Sequence, residues 1–274
     1  MRRLFTLALV GSGAVALTFL VLPLVAIFAR VPLGRLLGQL DERAVVDAVV
    51  VSAKTNAIAL ALMLVVGTPA AYLVASRRFP GRAVALTLIE LPLVLPPAVA
   101  GIGLLAAFGR AGLLGGTLDA LGVELPFTQA AVVLAIVFVA SPFYLRTAIA
   151  AFEAVDQNVV DAARTLGAGP ARTFARVALP LAGGGLGAGA ALAFARGLGE
   201  FGATIMFAGS FTGATQTLPL AVYAEFARNF DTALAIGALL VAISGALLVL
   251  LKLRVPWTRS ASISPFRFAR SSSA

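Results

Sequence analysis

The sequence predicts an all-α integral membrane protein with six transmembrane helices, and three observations carry that expectation. Of its 274 residues 60% are apolar and only 12% are charged, about half the charged share of a soluble domain, and the mean hydropathy is +1.01. The apolar residues gather into six long runs separated by arginines. The basic residues are spread unevenly between alternate loops, as an oriented membrane protein requires. Too little polar surface remains to cover a globular fold. That excludes a soluble globular protein, a disordered chain and a nucleic-acid binder, despite a net charge of +9. With no cysteine and no histidine, the chain has no disulfides, thiolate metal sites, cysteine nucleophiles or histidine acid–base chemistry.

A helix needs about 20 apolar residues to cross the hydrocarbon core. The first run, Leu4 to Ala29, follows Arg2 and Arg3. It is longer than the roughly 7–15 residues of a signal-peptide core and reads as a retained span. The second, Thr55 to Ser76, lies between Lys54 and Arg77-Arg78. The third, between Arg82 and Arg110, is interrupted by Pro92, Pro96 and Pro97. The fourth runs from Gln129 to Leu145 and stops at Arg146; the fifth starts near Val177 and reaches Ala195 before Arg196. The sixth, Thr232 to Leu251, ends at Lys252. The basic stretch after it, with Trp257, Phe266 and Phe268, reads as a stop-transfer anchor touching anionic headgroups, and the serine-rich end as disordered. No internal repeat occurs at a fixed period, which argues against an inverted-repeat secondary carrier.

With the N-terminus inside, seven of the 21 basic residues fall in outer segments: Arg30, Arg35, Arg43, Lys54, Arg110, Arg196 and Arg228. The remaining fourteen fall inside. The positive-inside rule therefore places both termini in the cytoplasm.

The spans carry almost no ionisable groups, whereas proton-coupled carriers depend on them. Glu90, eight residues past Arg82, reads as an interfacial residue at the start of a proline-delimited helix, where a carboxylate suits the positive dipole end. Nor does the chain bind ATP by a P-loop, which needs a lysine after a glycine. Its only lysines, Lys54 and Lys252, have no glycine before them.

The longest inner loop, Arg146 to Arg176, holds the most information. Asp156 is a candidate N-cap, with Val155 and Val160 at the spacing of a hydrophobic staple. Gly167 supplies a left-handed stop, and Gly169-Pro170 starts a second helix. The expected product is a bent helix pair whose first member carries an apolar stripe of Val159, Ala162, Ala163 and Leu166. Its bland alternative is packing against the chain's own spans. In the fifth span, Gly183, Gly187, Ala191 and Ala195 recur every fourth residue, as do Gly185, Gly189 and Ala193. That spacing lets helix backbones approach closely, within the subunit first and across a two-fold axis second.

Asp161-Ala162-Ala163, three residues, Gly167, nine residues, Val177, one residue and Leu179-Pro180 together resemble the coupling loop of ABC importer permeases. That family's pattern has glutamate at the first position and isoleucine before the Leu-Pro pair. Aspartate and valine stand there in this chain. The resemblance implies that Asp161, Ala162, Ala163, Leu166, Gly167, Val177, Leu179 and Pro180 form an ATPase-coupling loop on a type I importer permease (MetI-like) fold. A second stretch, Leu192 to Thr204, is similar to the segment that marks the oxyanion permeases of that family, the molybdate branch above all, with sulfate and tungstate permeases as relatives. Leu91-Pro92-Leu93-Val94-Leu95-Pro96-Pro97 and Thr215-Gln216-Thr217-Leu218-Pro219 agree with it.

The residues support this physically. Gly197, Gly199 and Gly202 permit a broken helix, which a bilayer tolerates only beside a cavity or other protein. Arg196 and Glu200, four apart, are placed to pair. Arg196, Gly199, Glu200, Phe201, Gly202, Ala203 and Thr204 are thus expected at the translocation pathway or its gate. Hydroxyls for the path are expected from Thr204, Ser210, Thr212, Thr215 and Thr217.

The resemblance further implies residues 1–54 as a first span and extracytoplasmic loop, 55–251 as the permease core and 252–274 as a cytoplasmic tail. It implies a multi-pass protein of the cell inner membrane, working as a homodimer with two cytoplasmic ABC ATPase subunits and an extracytoplasmic oxyanion-binding protein. No cofactor, metal or nucleic acid is implied. Sulfate or tungstate permease is the nearest alternative. A membrane enzyme would need convergent acids, bases or metal ligands; a membrane scaffold would not need the glycine breaks at Gly167 and Gly199.

Overall fold

Hydrocarbon offers no partner to a free N–H or C=O, so apolar runs must satisfy their backbones internally and form long helices. The computed structural model describes residues 2–254 apart from 33, 35–37, 39–41 and 78, and among them every regular element is helical. The basic stretch from residue 255 onward lies outside the described residues. In chain order the helices are α1 (Arg2–Arg30), α2 (Arg43–Ser76), α3 (Arg82–Val94), α4 (Pro97–Phe108) and the short α5 (Gly115–Ala120). They continue with α6 (Gln129–Glu153), α7 (Gln157–Thr165) and α8 (Pro170–Leu198). Last come α9 (Gly202–Ala208), α10 (Leu218–Phe226) and α11 (Phe230–Arg254).

Among the described residues α1, α2, α6 and α8 are each long and apolar enough to cross a membrane. The expected third span is instead α3 and α4, bent by 116° at their junction. Pro92 is accommodated inside α3; the break falls at Leu95-Pro96, where two successive prolines remove the N–H groups that would continue the ladder. The expected sixth span falls on α11, whose apolar stretch Phe230–Ala246 is shorter than those of the four, so the described residues offer four spans, or five with the bent pair, against the six expected.

Three boundaries differ from those the charges suggested. Helix α2 starts at Arg43 rather than Thr55, with Lys54 exposed on its surface. Helix α6 continues past Arg146 to Glu153. The second helix of the inner loop is not separate from the fifth span, because α8 runs unbroken from Pro170 through a π-helical turn at Phe174–Ala178. A charge marks where a helix meets polar surroundings, which is not where its backbone ends.

Helix α6 forms the centre, between α2 and α8. Ala131, Val132, Ala135, Ile136, Ala140 and Tyr144 on it are fully buried. The Tyr144 hydroxyl lies 2.5 Å from Thr68 Oγ1, which itself donates to the Leu64 carbonyl. Glycines on both neighbours make room for the Tyr144 ring. A Cβ on Gly67 of α2 would come within 3.1 Å of it, and one on Gly189 of α8 within 3.3 Å. Gly189 belongs to the row Gly185, Gly189, Ala193, which packs within the chain. Helix α1 lies at the edge, meeting α11 where Ile27 and Val31 touch the cluster of Ala235 and Ala238.

The two small-residue rows of α8 make separable predictions. A Cβ on Gly185 would sit 2.4 Å from Ala151 Cβ, whereas nothing lies within 4 Å of one on Gly183. Gly185→Val is expected to lower the melting temperature in detergent, by an amount equivalent to about 1–3 kcal/mol. Gly183→Val is expected to leave it within about 0.5 kcal/mol.

Candidate functional site

The inner loop folds as a sharp corner. Asp156 caps α7, its Oδ1 accepting the Asn158 N–H at 2.9 Å, while Val160 is buried and Val155 packs on the main core. At the other end Gly167 adopts φ +84°. Its N–H donates to the Arg164 carbonyl and that of Ala168 to the Ala163 carbonyl, so the last carbonyls of α7 are satisfied by a Schellman turn. Pro170 then opens α8, at the position where a missing N–H costs nothing. Thr173, which sequence reasoning passed over, is 1% exposed and donates to the Gly169 carbonyl at 3.1 Å. It pins the corner from inside. A threonine one turn after a helix-opening proline was the available signal.

The apolar stripe of α7 is not packed on the chain's own spans. Val159 is 45% and Leu166 89% exposed. Asp161 accepts hydrogen bonds from Gln157 Nε2 at 3.1 Å and Arg164 Nη1 at 3.2 Å. Its shorter side chain is therefore held along its own helix. Val177 lies in the π-helical turn, which ends at Ala178 immediately before Leu179-Pro180. Widening the helix there takes up the hydrogen-bond deficit that Pro180 creates. The foot of α8 is held by rings: Tyr72 of α2 lies 5.2 Å from Phe152 of α6 and 4.8 Å from Phe174 of α8, centroid to centroid. No pattern in the sequence announced this clamp, because its members come from three distant segments.

The second expected site is where α8 stops. Leu198 ends the helix, Gly199 is exposed, and α9 restarts at Gly202. The Arg196–Glu200 pair forms, with Nη2 to Oε2 at 2.7 Å. Glu200 is almost wholly enclosed, its side chain 1% exposed against 27% for Arg196. Its other oxygen accepts the Ala203 N–H at 2.8 Å, so one carboxylate joins both sides of the break. Phe201 rests on Tyr223 with ring centroids 5.1 Å apart. Ala203 and Thr204 are buried.

Space around the break is tight. A Cβ on Gly202 would meet Pro97 Cβ at 2.7 Å, one on Gly101 would meet the Ala203 carbonyl at 2.6 Å, and one on Gly197 would meet Asn56 Oδ1 at 2.4 Å. The hydroxyl residues are mostly occupied or enclosed. Thr215 Oγ1 accepts the Phe211 N–H, and Ser210 and Thr212 bond the Gln216 amide. Thr204 and Thr217 are buried. A polar strip on α2 joins them and was missed: Ser52 accepts the Leu218 N–H at 2.8 Å and Asn56 donates to the Ser52 carbonyl. Asn56 Oδ1, Thr204 Oγ1 and Thr217 Oγ1 have no partner among the described residues. Its signal was Ser52, Thr55 and Asn56 at helical spacing in an otherwise apolar run.

Glu90 does not start a helix; it lies late in α3 and pairs with Arg146 at 3.2 Å. A guanidinium on α6, rather than a helix dipole, is its partner. Arg82 joins three elements, its Nε donating to the Val74 carbonyl at 2.9 Å and Nη2 to Glu153. In the connection before α6, Arg110 is bonded to Glu124, which raises the guanidinium pKa above its ordinary value.

Against known proteins, the family described as binding-protein-dependent transport system inner membrane component matches residues 63–255. The molybdenum transport system permease protein ModB of Mycobacterium tuberculosis is 42% identical over 242 residues, covering 88% of this chain and 91% of that one. The sulfate transport system permease protein CysW of Synechococcus elongatus is 36% identical over 222 residues, covering 81% and 77%. In fold, the chain resembles a bacterial alginate ABC transporter solved with its alginate pentasaccharide-bound periplasmic protein, at TM-score 0.69 and 12% identity, covering 91% and 93%. It also resembles the inward-facing MetNI methionine ABC transporter, at TM-score 0.59 and 20% identity, covering 77% and 94%.

The enclosed ion pair makes a stability prediction. Arg196→Gln leaves the Glu200 carboxylate buried without its partner and is expected to destabilise by on the order of 3 kcal/mol. The double variant Arg196→Gln, Glu200→Gln removes the stranded charge and is expected to recover most of that loss. Thermal unfolding of the three purified forms in detergent checks it.

Proposed function

Because the chain belongs to the family of binding-protein-dependent transport system inner membrane components, we propose that it is the permease subunit of an ATP-driven oxyanion importer whose cargo is molybdate. The observation that carries this cargo is the similarity to the molybdenum permease, higher in identity and longer in reach than that to the sulfate permease. Sulfate, or tungstate, is the second reading within the class. The chain is an inner-membrane protein. It has six spans with both termini in the cytoplasm, residues 55–251 as permease core and 252–274 as an inner tail.

The α7–α8 corner faces the cytoplasm and seats in a separate ATPase chain. Ala162, Ala163 and Leu166 provide the surface that the ATPase covers, and Gly167 sets the turn. Leu166, with nine-tenths of its surface free of the chain's own atoms, supports this seat. Asp161, bonded to its helix neighbours, shapes the corner rather than reaching outward. Val177, Leu179 and Pro180 carry the movement into α8. Two copies of the chain pair with two ATPases and receive the cargo from an extracytoplasmic oxyanion-binding protein.

Arg196, Gly199, Glu200, Phe201, Gly202, Ala203 and Thr204 form the outer gate. Transport proceeds by alternating access: ATP closes the ATPases, the corner moves with them, and α8 carries that movement to its broken end. A dianion must pass without being held, and the Arg196–Glu200 pair presents little net charge to trap it. The buried, unpartnered oxygens of Thr204 and Thr217 support a rearrangement that exposes them when the gate opens.

Uptake into proteoliposomes holding the permease with its ATPase and binding protein tests the reading. ATP-dependent molybdate accumulation is expected, with sulfate a weak competitor; strong sulfate competition selects the second reading, and accumulation of neither removes the proposal. Two substitutions address the corner. Leu166→Glu is expected to weaken ATPase co-purification at least about ten-fold, a charge replacing a covered apolar anchor. Gly167→Val, strained by about 1–2 kcal/mol at φ +84°, is expected to lower uptake per ATP hydrolysed.

A further inference from the structure

Beneath α7 lies a cavity of about 350 Å³. Its charged lining comprises Arg77 from the end of α2, Arg82 from the start of α3, Arg164 from α7 and Glu153 from the end of α6; Tyr72 and Phe152 form an aromatic wall. Three guanidinium groups thus face one carboxylate. That carboxylate is committed to Arg82. Arg164 is shared with Asp161, which stands between it and Gln157 on α7 and is bonded to both, and Arg77 has no carboxylate partner among the described residues. With Asp161 counted, three guanidinium groups meet two carboxylates, and the cavity keeps one positive charge that no described residue neutralises.

Helix α7 divides its surface between two tasks. Gln157, Val160 and Arg164, at i, i+3 and i+7, line the cavity, while Val159, Ala162 and Leu166 point away and are exposed. Covering the outer stripe therefore leaves the inner face, and the cavity, unfilled. The volume is at the small end of ligand sites. Aromatic walls lower the local dielectric and strengthen each charge, and guanidinium forks match paired oxygens of a phosphate-like group.

We propose that this cavity is an anion site for a tetrahedral oxyanion group, supplied either as a free ion such as phosphate or tungstate or as the phosphate of an anionic lipid headgroup. Arg77 and Arg164 are its principal ligands and Arg82 orients it from the Glu153 side. Occupancy bridges the end of α2 to the inner face of α7 and so favours one position of the corner over others. Binding itself requires neither ATP nor transport, so it is tested apart from the importer reading.

The permease–ATPase complex, purified without any binding protein, is reconstituted in nanodiscs of phosphatidylcholine alone and dialysed to equilibrium against radiolabelled phosphate or tungstate. In a second arm, nanodiscs containing phosphatidylglycerol are examined by native mass spectrometry for retained anionic lipid. The first arm registers a free ion and the second a headgroup. In whichever arm binds, Arg77→Gln and Arg164→Gln are each expected to weaken binding about ten-fold, the loss of one charge-assisted contact. Arg77→Lys is expected to retain most of it, and Glu153→Gln to tighten it. Opposite signs from neighbouring substitutions separate ligation from misfolding. No saturable binding in either arm, or binding indifferent to Arg77→Gln, overturns the proposal.

Discussion

A helix that stops and restarts inside an apolar bundle must find partners for the backbone groups it frees, and the restart at Gly202 finds one in Glu200. One carboxylate oxygen accepts the Ala203 N–H in the first turn of α9 and the other is ion-paired with Arg196 of α8. Enclosing a lone carboxylate costs several kcal/mol, so this arrangement exists only while both bonds hold. The same region accepts a second interruption, between α3 and α4, and the two fit together. Gly202 lies against Pro97 and Gly101 against the Ala203 carbonyl, each too close for a side chain. The two breaks are packed directly against each other.

The opposite end of α8 is as firmly built. Its 29 residues run from the corner at Pro170 to the break at Leu198, a rod of about 44 Å at helical rise. Joining corner and span without a loop matters mechanically, because a loop would absorb displacement that a helix transmits. The π-helical turn is the compliant point of the rod, and the aromatic clamp of Tyr72, Phe152 and Phe174 sits beside it. On the proposed coupling, a push at α7 would act close to a fixed support and arrive at the far end where Glu200 bridges two helices. Stiff packing along the way, with Gly185 and Gly189 against α6, keeps the rod from bending into its neighbours.

Much of this was legible in the residues. Asp156, Gly167 and Pro170 each carry a local backbone demand that one residue type meets, so cap, turn and restart could be read without tertiary information. Arg196 and Glu200 were legible because four residues is one helical turn. What escaped was of two kinds. Helix ends were placed at charges, yet Lys54 and Arg146 ride on continuous helices; composition reports surroundings, and hydrogen bonding decides ends. Contacts between distant segments left no pattern either. Ser52 with Leu218, Tyr144 with Thr68, and Glu90 with Arg146 are chosen by packing, which one sequence read alone does not reveal. Glu90 shows the cost of arguing locally: a dipole explanation was available, and a cation on another helix was the actual partner.

On the proposed function, the distribution of charge between the two ends of α8 suits an anion path at one end only. At the break, the single arginine is matched by an enclosed carboxylate, so a dianion on the proposed path would meet polar groups without a deep electrostatic well. Near the corner, Arg82 and Arg164 are paired with Glu153 and Asp161 and Arg77 remains in excess, and depth of binding is no handicap there because that space lies apart from the break. An unmatched arginine at the break would slow release, since each added ion contact deepens the well the cargo must leave. A matched set near the corner would leave α7 resting on a neutral void with nothing to draw an anion beneath it. On these two proposals, exchanging the charges between the ends would serve neither, and the placement of Glu200 at one end and of Glu153 and Asp161 at the other keeps them distinct.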